Sequence, residues 1–585
     1  MQRMRQNGSA GIGGARRCAG IALGLALASG GAHAARDCAS LTSVTPEAST
    51  ITSAAIVTPP ATINGVPVSV PFCRVQGVAK PSTDSEIKFE VWLPPTAAAW
   101  TGRMKVNGTG GYAGATPYAR LAQDIGDGFV TAGSNMGHDG GESASWTLGH
   151  PEKVKDWGLR AHYSVATAAK TLSLAFYSQQ VEHSYFEGCS NGGRQAMMMA
   201  QNYPELFDGI VAGAPSMFYP DLLFWLLWTG KTLTPVYGQP PALSPAKASL
   251  ITQRVLEKCD GIDGLVDGQI TNPRACSFDI DALGPAGKDP ILTAQELATV
   301  KAMYAGTTSE TGEQRYAGAK FGSEANFDPN FADNGRYGPF IGHYVYSADW
   351  SLDVWRANIN FSSVYDHAKE VLSPVTAAPS PDIRAFVNRG GKLIQFHGWN
   401  DSVVPPDGSV AYFFALTQFE VLRHMPKAVA DRYIEKLTPQ LVAAIGEAFG
   451  KKVQQYHRLF MLPAVSHCGG GTGPNAIGGG APEPTAALRD PEHHVVSAMI
   501  RWVEEGEAPE KIIATRFDTS GTVVVRQRPV CAYPAQAAYE GSGSIDNAAN
   551  FSCVTPKLHE RTVSATDILL IKNSLRQRDL KLPNR

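Results

Sequence analysis

The segment Gly188-Cys189-Ser190-Asn191-Gly192 has the residue types and spacing for covalent chemistry at a serine. A serine hydroxyl is a poor nucleophile until a base takes its proton. Its backbone must also hold it out, and G-x-S-x-G does so where a strand enters and a helix leaves, because small flanking residues relieve crowding in that turn. Here the apolar run His183 to Glu187 enters, and a helix-forming run containing Ala196-Met197-Met198-Met199-Ala200 leaves. The helix amino terminus and the Asn191 N–H would stabilise a negative oxygen.

A base and an orienting acid must come from elsewhere, and in sites of this kind the chain order is serine, acid, histidine. Asp401 follows the strand-like Lys392 to Phe396 through His397-Gly398-Trp399-Asn400. His467 follows the strand-like Tyr456 to Leu462, within Val465-Ser466-His467-Cys468. Both stand beyond the carboxyl ends of strands, where parallel sheets place their sites. His397 is a rival base, but it precedes the acid and reads as a structural or pocket histidine. Asp407 is a rival acid, more simply a turn residue of Pro406-Asp407-Gly408.

These residues need a scaffold, and the chain supplies an alternating one. Arg103 to Val106 reads as a strand leading into the glycine-rich Gly108-Thr109-Gly110-Gly111; Gly128 to Ala132 and Gly209 to Gly213 read as further strands. Leu159 to Tyr177, Gly192 to Tyr203 and His493 to Glu505 carry helical spacing of apolar residues. Alternating strands and helices predict an α/β-hydrolase fold, a mostly parallel sheet flanked by helices. Between about 216 and 383 the alternation stops, and the chain is rich in Trp, Tyr, Phe, Pro and Gly. That stretch predicts a large inserted lid domain, dividing the catalytic domain into 35–215 and 384–585. A chain of 585 residues exceeds one ordinary core, which agrees with an insertion.

The first 34 residues read as a secretory signal. Arg3, Arg5, Arg16 and Arg17 precede the apolar Ala19 to Ala28, and Ala32-His33-Ala34 is a cleavage site. The apolar run is too short to span a bilayer, and no later segment reads as transmembrane, so no stable membrane insertion is expected. Cleavage there removes four arginines and no acid, taking the net charge from −2 to −6. With no basic block, nothing points to nucleic acid. An exported protein, periplasmic or secreted, is expected. Of nine cysteines Cys18 leaves with the signal; the even remainder predicts four disulfides. Spacing alone does not choose among 105 pairings. The local pairs Cys38–Cys73, Cys259–Cys276 and Cys531–Cys553 are the simplest, and they would leave Cys189 for Cys468.

Cys189-Ser190, Asp401 and His467-Cys468 resemble the CS-D-HC arrangement of the tannase and feruloyl esterase family. The likeness extends through Gly188 to Arg194, His397 to Asp401, His467 to Gly471, Trp502 to Pro509 and the tail from Arg528 to Cys553. It implies a Cys189–Cys468 disulfide clipping the nucleophile turn to the histidine loop, since a bridge needs its two Cα atoms within roughly 7 Å. It also implies an oxyanion hole with the Asn191 N–H as one donor and a glycine-loop N–H, Thr109 or its neighbour Gly110, as the other.

Cys259 to Gln269 carries three aspartates at spacings of three and four, separated by glycines. Read alone, this is an acidic surface turn. The resemblance implies instead a structural Ca²⁺ held by the side chains of Asp260, Asp263 and Asp267 and the carbonyls of Leu265 and Gln269. No organic cofactor is expected.

The resemblance implies a serine esterase acting on small esters of aromatic acids, with feruloyl esters ahead of the galloyl esters of a tannase. A terephthalate monoester hydrolase is a further alternative, but no lid segment matches the serine and arginine that read the terephthalate carboxylate. A non-catalytic binding protein on the same fold is a different class, and such proteins lose a triad residue. Val403 and Val404 are expected as pocket walls. The lid aromatics Phe224, Trp225, Trp228, Tyr344, Trp350 and Trp355 are candidates to line the acyl pocket, the alternative for most of them being packing of the lid core. The sequence does not determine an oligomeric state.

Overall fold

A computed structural model of the chain describes residues 36–236, 238–328, 336–557 and 563–577. The expected signal, residues 1–34, lies outside the described residues. Nine strands form the central sheet. In spatial order they are Ser49–Val57, Phe72–Ala79, Ile87–Leu93, Val130–Ser134, Arg103–Asn107, His183–Cys189, Gly209–Gly213, Lys392–Gly398 and His457–Leu462. The first four pair antiparallel, and Val130–Ser134 through His457–Leu462 run parallel. The first three strands had no counterpart in the sequence reading; they extend one edge of an α/β-hydrolase sheet.

Alternate residues of a strand face opposite sides of a sheet, and His183–Cys189 shows both sides covered. Phe186 packs with Ala196 and Met197 of the helix Asn191–Asn202, while Tyr185 packs with Val495 and Met499 of the helix Val495–Glu505. Chain order reverses around Arg103–Asn107: the next strand in sequence lies on one side of it and His183–Cys189 on the other. Ligand crevices open at such switch points, outside the carboxyl ends of the strands, which here are Asn107 and Cys189.

Among the described residues, the stretch between Gly213 and Lys392 adds no strand to the sheet. Its helices Tyr219–Leu233 and Ser363–Thr376 pack into the main core, through Leu223, Phe224, Trp225 and Leu372. Leu243, Ile251, Val255, Ile270, Leu283 and Val300 instead form a separate core, with Cys259 and Cys276 in it. This stretch therefore has one part continuous with the main core and another with a core of its own. Among the described residues no helix is long and apolar enough to cross a membrane.

Candidate active site

The turn at Ser190 joins the strand His183–Cys189 directly to the helix Asn191–Asn202. Ser190 has φ 63° and ψ −123°, a strained conformation that holds the hydroxyl above the sheet edge. Close approach is what the flanking glycines allow. A Cβ on Gly188 would lie 2.7 Å from the Gly192 carbonyl carbon, and one on Gly108 would lie 2.8 Å from the Gly192 Cα. The glycine loop thereby abuts the first turn of the helix Asn191–Asn202.

Ser190, Asn191, Gly108, Gly110, Val403, Val404, His467 and the Cys189–Cys468 pair line one cleft of about 410 Å³, within the usual range for small-ligand sites. The disulfide joins residues 279 apart in sequence, with the Cα atoms 6.0 Å apart. The other bonds are Cys38–Cys73, Cys259–Cys276 and Cys531–Cys553, so all eight cysteines of the expected set pair as read from the sequence.

His467 Nδ1 donates to Asp401 Oδ2 at 2.7 Å, leaving Nε2 for chemistry. Asp401 is fully buried. Its Oδ1 accepts the N–H groups of Val403 and Val404 at 2.9 and 2.8 Å, which bring both valines to the cleft wall. Burial pushes the Asp401 carboxyl up, but the charge of His467 and hydrogen bonds from His397 and His467 outweigh it. They hold the acid well below the usual carboxylate range.

His397 is not a pocket residue. It is fully buried, with Nε2 at 3.2 Å from Asp401 Oδ2 and 2.9 Å from the Val404 carbonyl. Two acceptors at Nε2 require the proton there, so Nδ1 accepts from the Ser409 hydroxyl at 2.8 Å. The acid is thus held from behind by a second imidazole, a contact the sequence reading missed. His397 lies four residues before Asp401, and that spacing was its available signal. Asp407 pairs with Lys320 Nζ at 2.8 Å, which accounts for it without a catalytic part.

The insertion grips the acid loop from the other side. Asn400 Nδ2 donates to the Gly322 carbonyl at 2.6 Å, Asn326 Nδ2 to the Asn400 carbonyl at 3.2 Å, and Ser402 Oγ to the Asn326 carbonyl at 2.7 Å. Both neighbours of Asp401 are therefore tied to one turn of the insertion.

Of the two glycine-loop donors expected, Thr109 is corrected. Its N–H donates to Gln195 Oε1 at 3.0 Å, so that group is not turned to the cleft. Gly108, Gly110 and Gly111 line the cleft; the Gly108 N–H donates to the Glu187 carbonyl at 2.8 Å, and Gly110 is what remains of the expected pair.

Of the two readings of the lid aromatics, packing is the one the structure shows. Phe224, Trp225, Trp350 and Trp355 belong to the buried core, with Trp228 and Tyr344 packed against it. Trp225 Nε1 donates to the Ser402 carbonyl, which makes it a support of the acid loop. The cleft wall on the insertion side is Tyr219, Leu222, Leu226, Arg336 and Tyr337. Asn107, Arg120 and Glu187 are its polar lining beside the glycine loop. Beneath them lies a buried charge cluster in which Lys105 Nζ stands 2.6 Å from Asp124 and 3.4 Å from Glu187. The opposed charges keep Lys105 protonated despite its burial.

The acidic loop is gathered into one turn after the helix Pro245–Cys259, closed by Cys259–Cys276. Its donors are all oxygens, which fits a hard cation in chemistry. Asp260 accepts the N–H groups of Asp267, Gly268 and Gln269, Asp263 accepts that of Leu265, and Asp267 pairs with Arg528 at 2.7 Å. Among the described residues, no three acidic, histidine or cysteine side chains form a group that could hold a metal.

The family model described as tannase and feruloyl esterase matches residues 73–554. An uncharacterized esterase of Xanthomonas campestris pv. campestris is 36% identical over 572 residues, covering 91% of this chain and 93% of the relative. A probable feruloyl esterase B-2 of Aspergillus terreus is 30% identical over 503 residues, covering 83% of this chain and 87% of the relative. The crystal structure of feruloyl esterase B from Aspergillus oryzae superposes with a TM-score of 0.74 at 27% identity, covering 88% of this chain and 99% of that one.

Proposed function

We propose, for a chain that belongs to the tannase and feruloyl esterase family, hydrolysis of feruloyl esters through an acyl-enzyme on Ser190. The observation that carries the reading is the His467–Asp401 pair at 2.7 Å in the same cleft as an elbow serine, with the two loops bridged by Cys189–Cys468. His467 Nε2 takes the Ser190 proton while Asp401 holds Nδ1–H and the imidazolium charge. Ser190 Oγ attacks the ester carbonyl, and the N–H groups of Asn191 and Gly110 take the resulting oxyanion. The alcohol leaves with the proton from His467. Water, deprotonated by the same imidazole, then releases the aromatic acid and restores Ser190.

The insertion 216–383 serves as the lid in this reading, because it supplies Tyr219, Leu222, Leu226 and Tyr337 to the cleft. These apolar and aromatic walls suit an aromatic acyl group. Feruloyl stands ahead of galloyl because relatives at 30% identity carry the feruloyl esterase name. The polar lining residues Asn107, Arg120 and Glu187 are what favours a galloyl ester, whose ring hydroxyls could meet them. Methyl ferulate and methyl gallate, assayed side by side with Ser190→Ala as blank, separate the two. At least a tenfold higher kcat/KM on ferulate is expected; the reverse order makes the protein a tannase by the same mechanism. Four disulfides agree with an exported protein.

The acidic loop is proposed, on the family resemblance, as a structural calcium site with Asp260, Asp263 and Asp267 and the carbonyls of Leu265 and Gln269 as ligands; binding would have to draw together three carboxylates that do not form a metal-holding group here. Bound calcium would tie the loop together by offsetting three carboxylates, and would take no part in the reaction. Millimolar calcium is expected to raise Tm by a few degrees, as binding to the native state alone requires, about 2.7 kcal/mol at a hundredfold excess over Kd. Asp263→Asn should abolish the shift with kcat unchanged. An equal Tm in calcium and in chelator, measured by calorimetry, would remove the site.

A further inference from the structure

Arg194 is fully buried in the second turn of the nucleophile helix. Among the described residues no carboxylate lies within ion-pair distance of its guanidinium, whose donors all go to neutral oxygens. A buried charge without a counter-ion costs several kcal/mol. The surroundings offset this partly. The carbonyls of Gly158, Trp157 and Thr376 accept from it at 2.8, 3.4 and 3.4 Å. The ring faces of Trp157 and Tyr219 lie 4.4 and 5.3 Å away. Trp157 and Gly158 belong to the π-helical turn Asp156–Arg160, a local widening of the kind that recurs at functional sites. Burial pushes the guanidinium down to about 10, so it remains charged at neutral pH.

The remaining donor leads to the oxyanion loop. Arg194 Nε donates to Asn191 Oδ1 at 2.7 Å, and Asn191 Nδ2 donates to the Thr109 carbonyl at 3.2 Å. Because arginine can only donate and a carbonyl only accept, the amide has a single orientation here. The Thr109 carbonyl and the Gly110 N–H belong to one peptide group, and in a trans peptide they point in opposite directions. A donor fixed on that carbonyl fixes the direction of the Gly110 N–H and polarises it. The preceding peptide is fixed as well, since Gln195 Oε1 accepts the Thr109 N–H and stands 2.9 Å from His162 Nε2.

We propose that Arg194 is a positioning residue of the oxyanion hole. Its charge, carried through the Asn191 side chain and the Thr109–Gly110 peptide, aims and strengthens the Gly110 N–H for the negative oxygen that forms when Ser190 attacks. The guanidinium has no anion in the resting site, and the oxyanion of the transition state would supply negative charge at the far end of this relay, which is the differential stabilisation that lowers a barrier. The proposal rests on Ser190 as nucleophile and Gly110 as donor.

The test uses Arg194→Met and Asn191→Ala, singly and together, in the full-length protein; the Asn191 backbone N–H survives its own substitution. Three quantities are read: kcat and KM on methyl ferulate, the affinity of phenylboronic acid, which adds to a serine as a tetrahedral anion, and the affinity of ferulamide, a neutral ground-state mimic. Each single variant should lose about 10- to 100-fold in kcat, less than the 10²–10³ of a deleted oxyanion donor. Boronate affinity should fall by a similar factor, with KM and ferulamide affinity within about threefold, bounds far short of the transition-state loss. The double variant should be no worse than the poorer single one, because both act on one path. If Arg194→Met fails to fold, Asn191→Ala carries the test, since it leaves the guanidinium in place. Wild-type kcat and boronate affinity in Asn191→Ala, or losses that multiply in the double variant, overturn the relay. Activity surviving in Ser190→Ala would instead overturn the reading beneath it, and the relay with it.

Discussion

Ser190→Ala is expected to lower kcat about 10⁴- to 10⁶-fold, the loss seen when the nucleophile of a serine triad is removed. KM for the aromatic ester should change little, because the cleft walls proposed to hold the substrate are Tyr219, Leu222, Leu226, Val403 and Val404, not Ser190. Stability should hold as well. The strain at this position lies in the backbone, at φ 63°, which alanine would share. The His467–Asp401 pair does not involve the serine hydroxyl. A folded protein with substrate affinity and almost no turnover is the expected outcome, measured by initial rates and a thermal melt on the same preparation. A non-catalytic binding protein would show no difference between Ser190→Ala and wild type.

Replacing both Cys189 and Cys468 by serine is expected to damage turnover and stability together. The bond spans 279 residues of sequence, and the chain-entropy model assigns a loop of that size a contribution on the order of 5 kcal/mol, less any strain. The histidine loop keeps other anchors: the Asn400 N–H donates to the Val465 carbonyl at 2.9 Å, and Arg516 donates to the Gly471 carbonyl at 2.9 Å. The loop should therefore loosen rather than detach. A misplacement of about 1 Å between base and nucleophile can cost on the order of 10² in rate, so kcat should fall about 10- to 100-fold with Tm lower by several degrees. Replacing Cys38 and Cys73 provides the comparison. That bond ties the short helical turn Cys38–Ser43 to Phe72–Ala79, the second strand from the sheet edge, so stability should drop with kcat intact. Equal effects of the two pairs on kcat would mean that Cys189–Cys468 does not position the site.

The parts of this site governed by local rules were legible in the sequence. Ser190 was readable because strand, glycine turn and helix are consecutive in the chain. Asp401 and His467 were readable because each follows its strand by a few residues. What escaped depends on contacts between distant segments. Thr109 and Gly110 look equivalent in a glycine run; the side chain of Gln195, 86 residues on, decides between them. The lid aromatics looked like pocket residues because hydrophobicity does not distinguish a cleft wall from a core. Phe224 and Trp225 turn inward, while Tyr219, Leu222 and Leu226 of the same helix reach the cleft. Lys105 and Glu187 were passed over as ordinary strand residues, since opposed charges from separate strands neutralise one another only once the sheet forms. The antiparallel edge formed by Ser49–Val57, Phe72–Ala79 and Ile87–Leu93 drew no attention because the reading sought parallel α/β units.

The central claim is that one serine carries the acyl group. Its most direct test is to inactivate the wild-type protein with a fluorophosphonate and locate the adduct by peptide mass mapping, while following the hydrolysis of methyl ferulate. The account predicts one phosphonyl group per chain, on Ser190, with activity lost in proportion to labelling. Full activity in protein labelled at Ser190, or inactivation through an adduct on another residue, would contradict it.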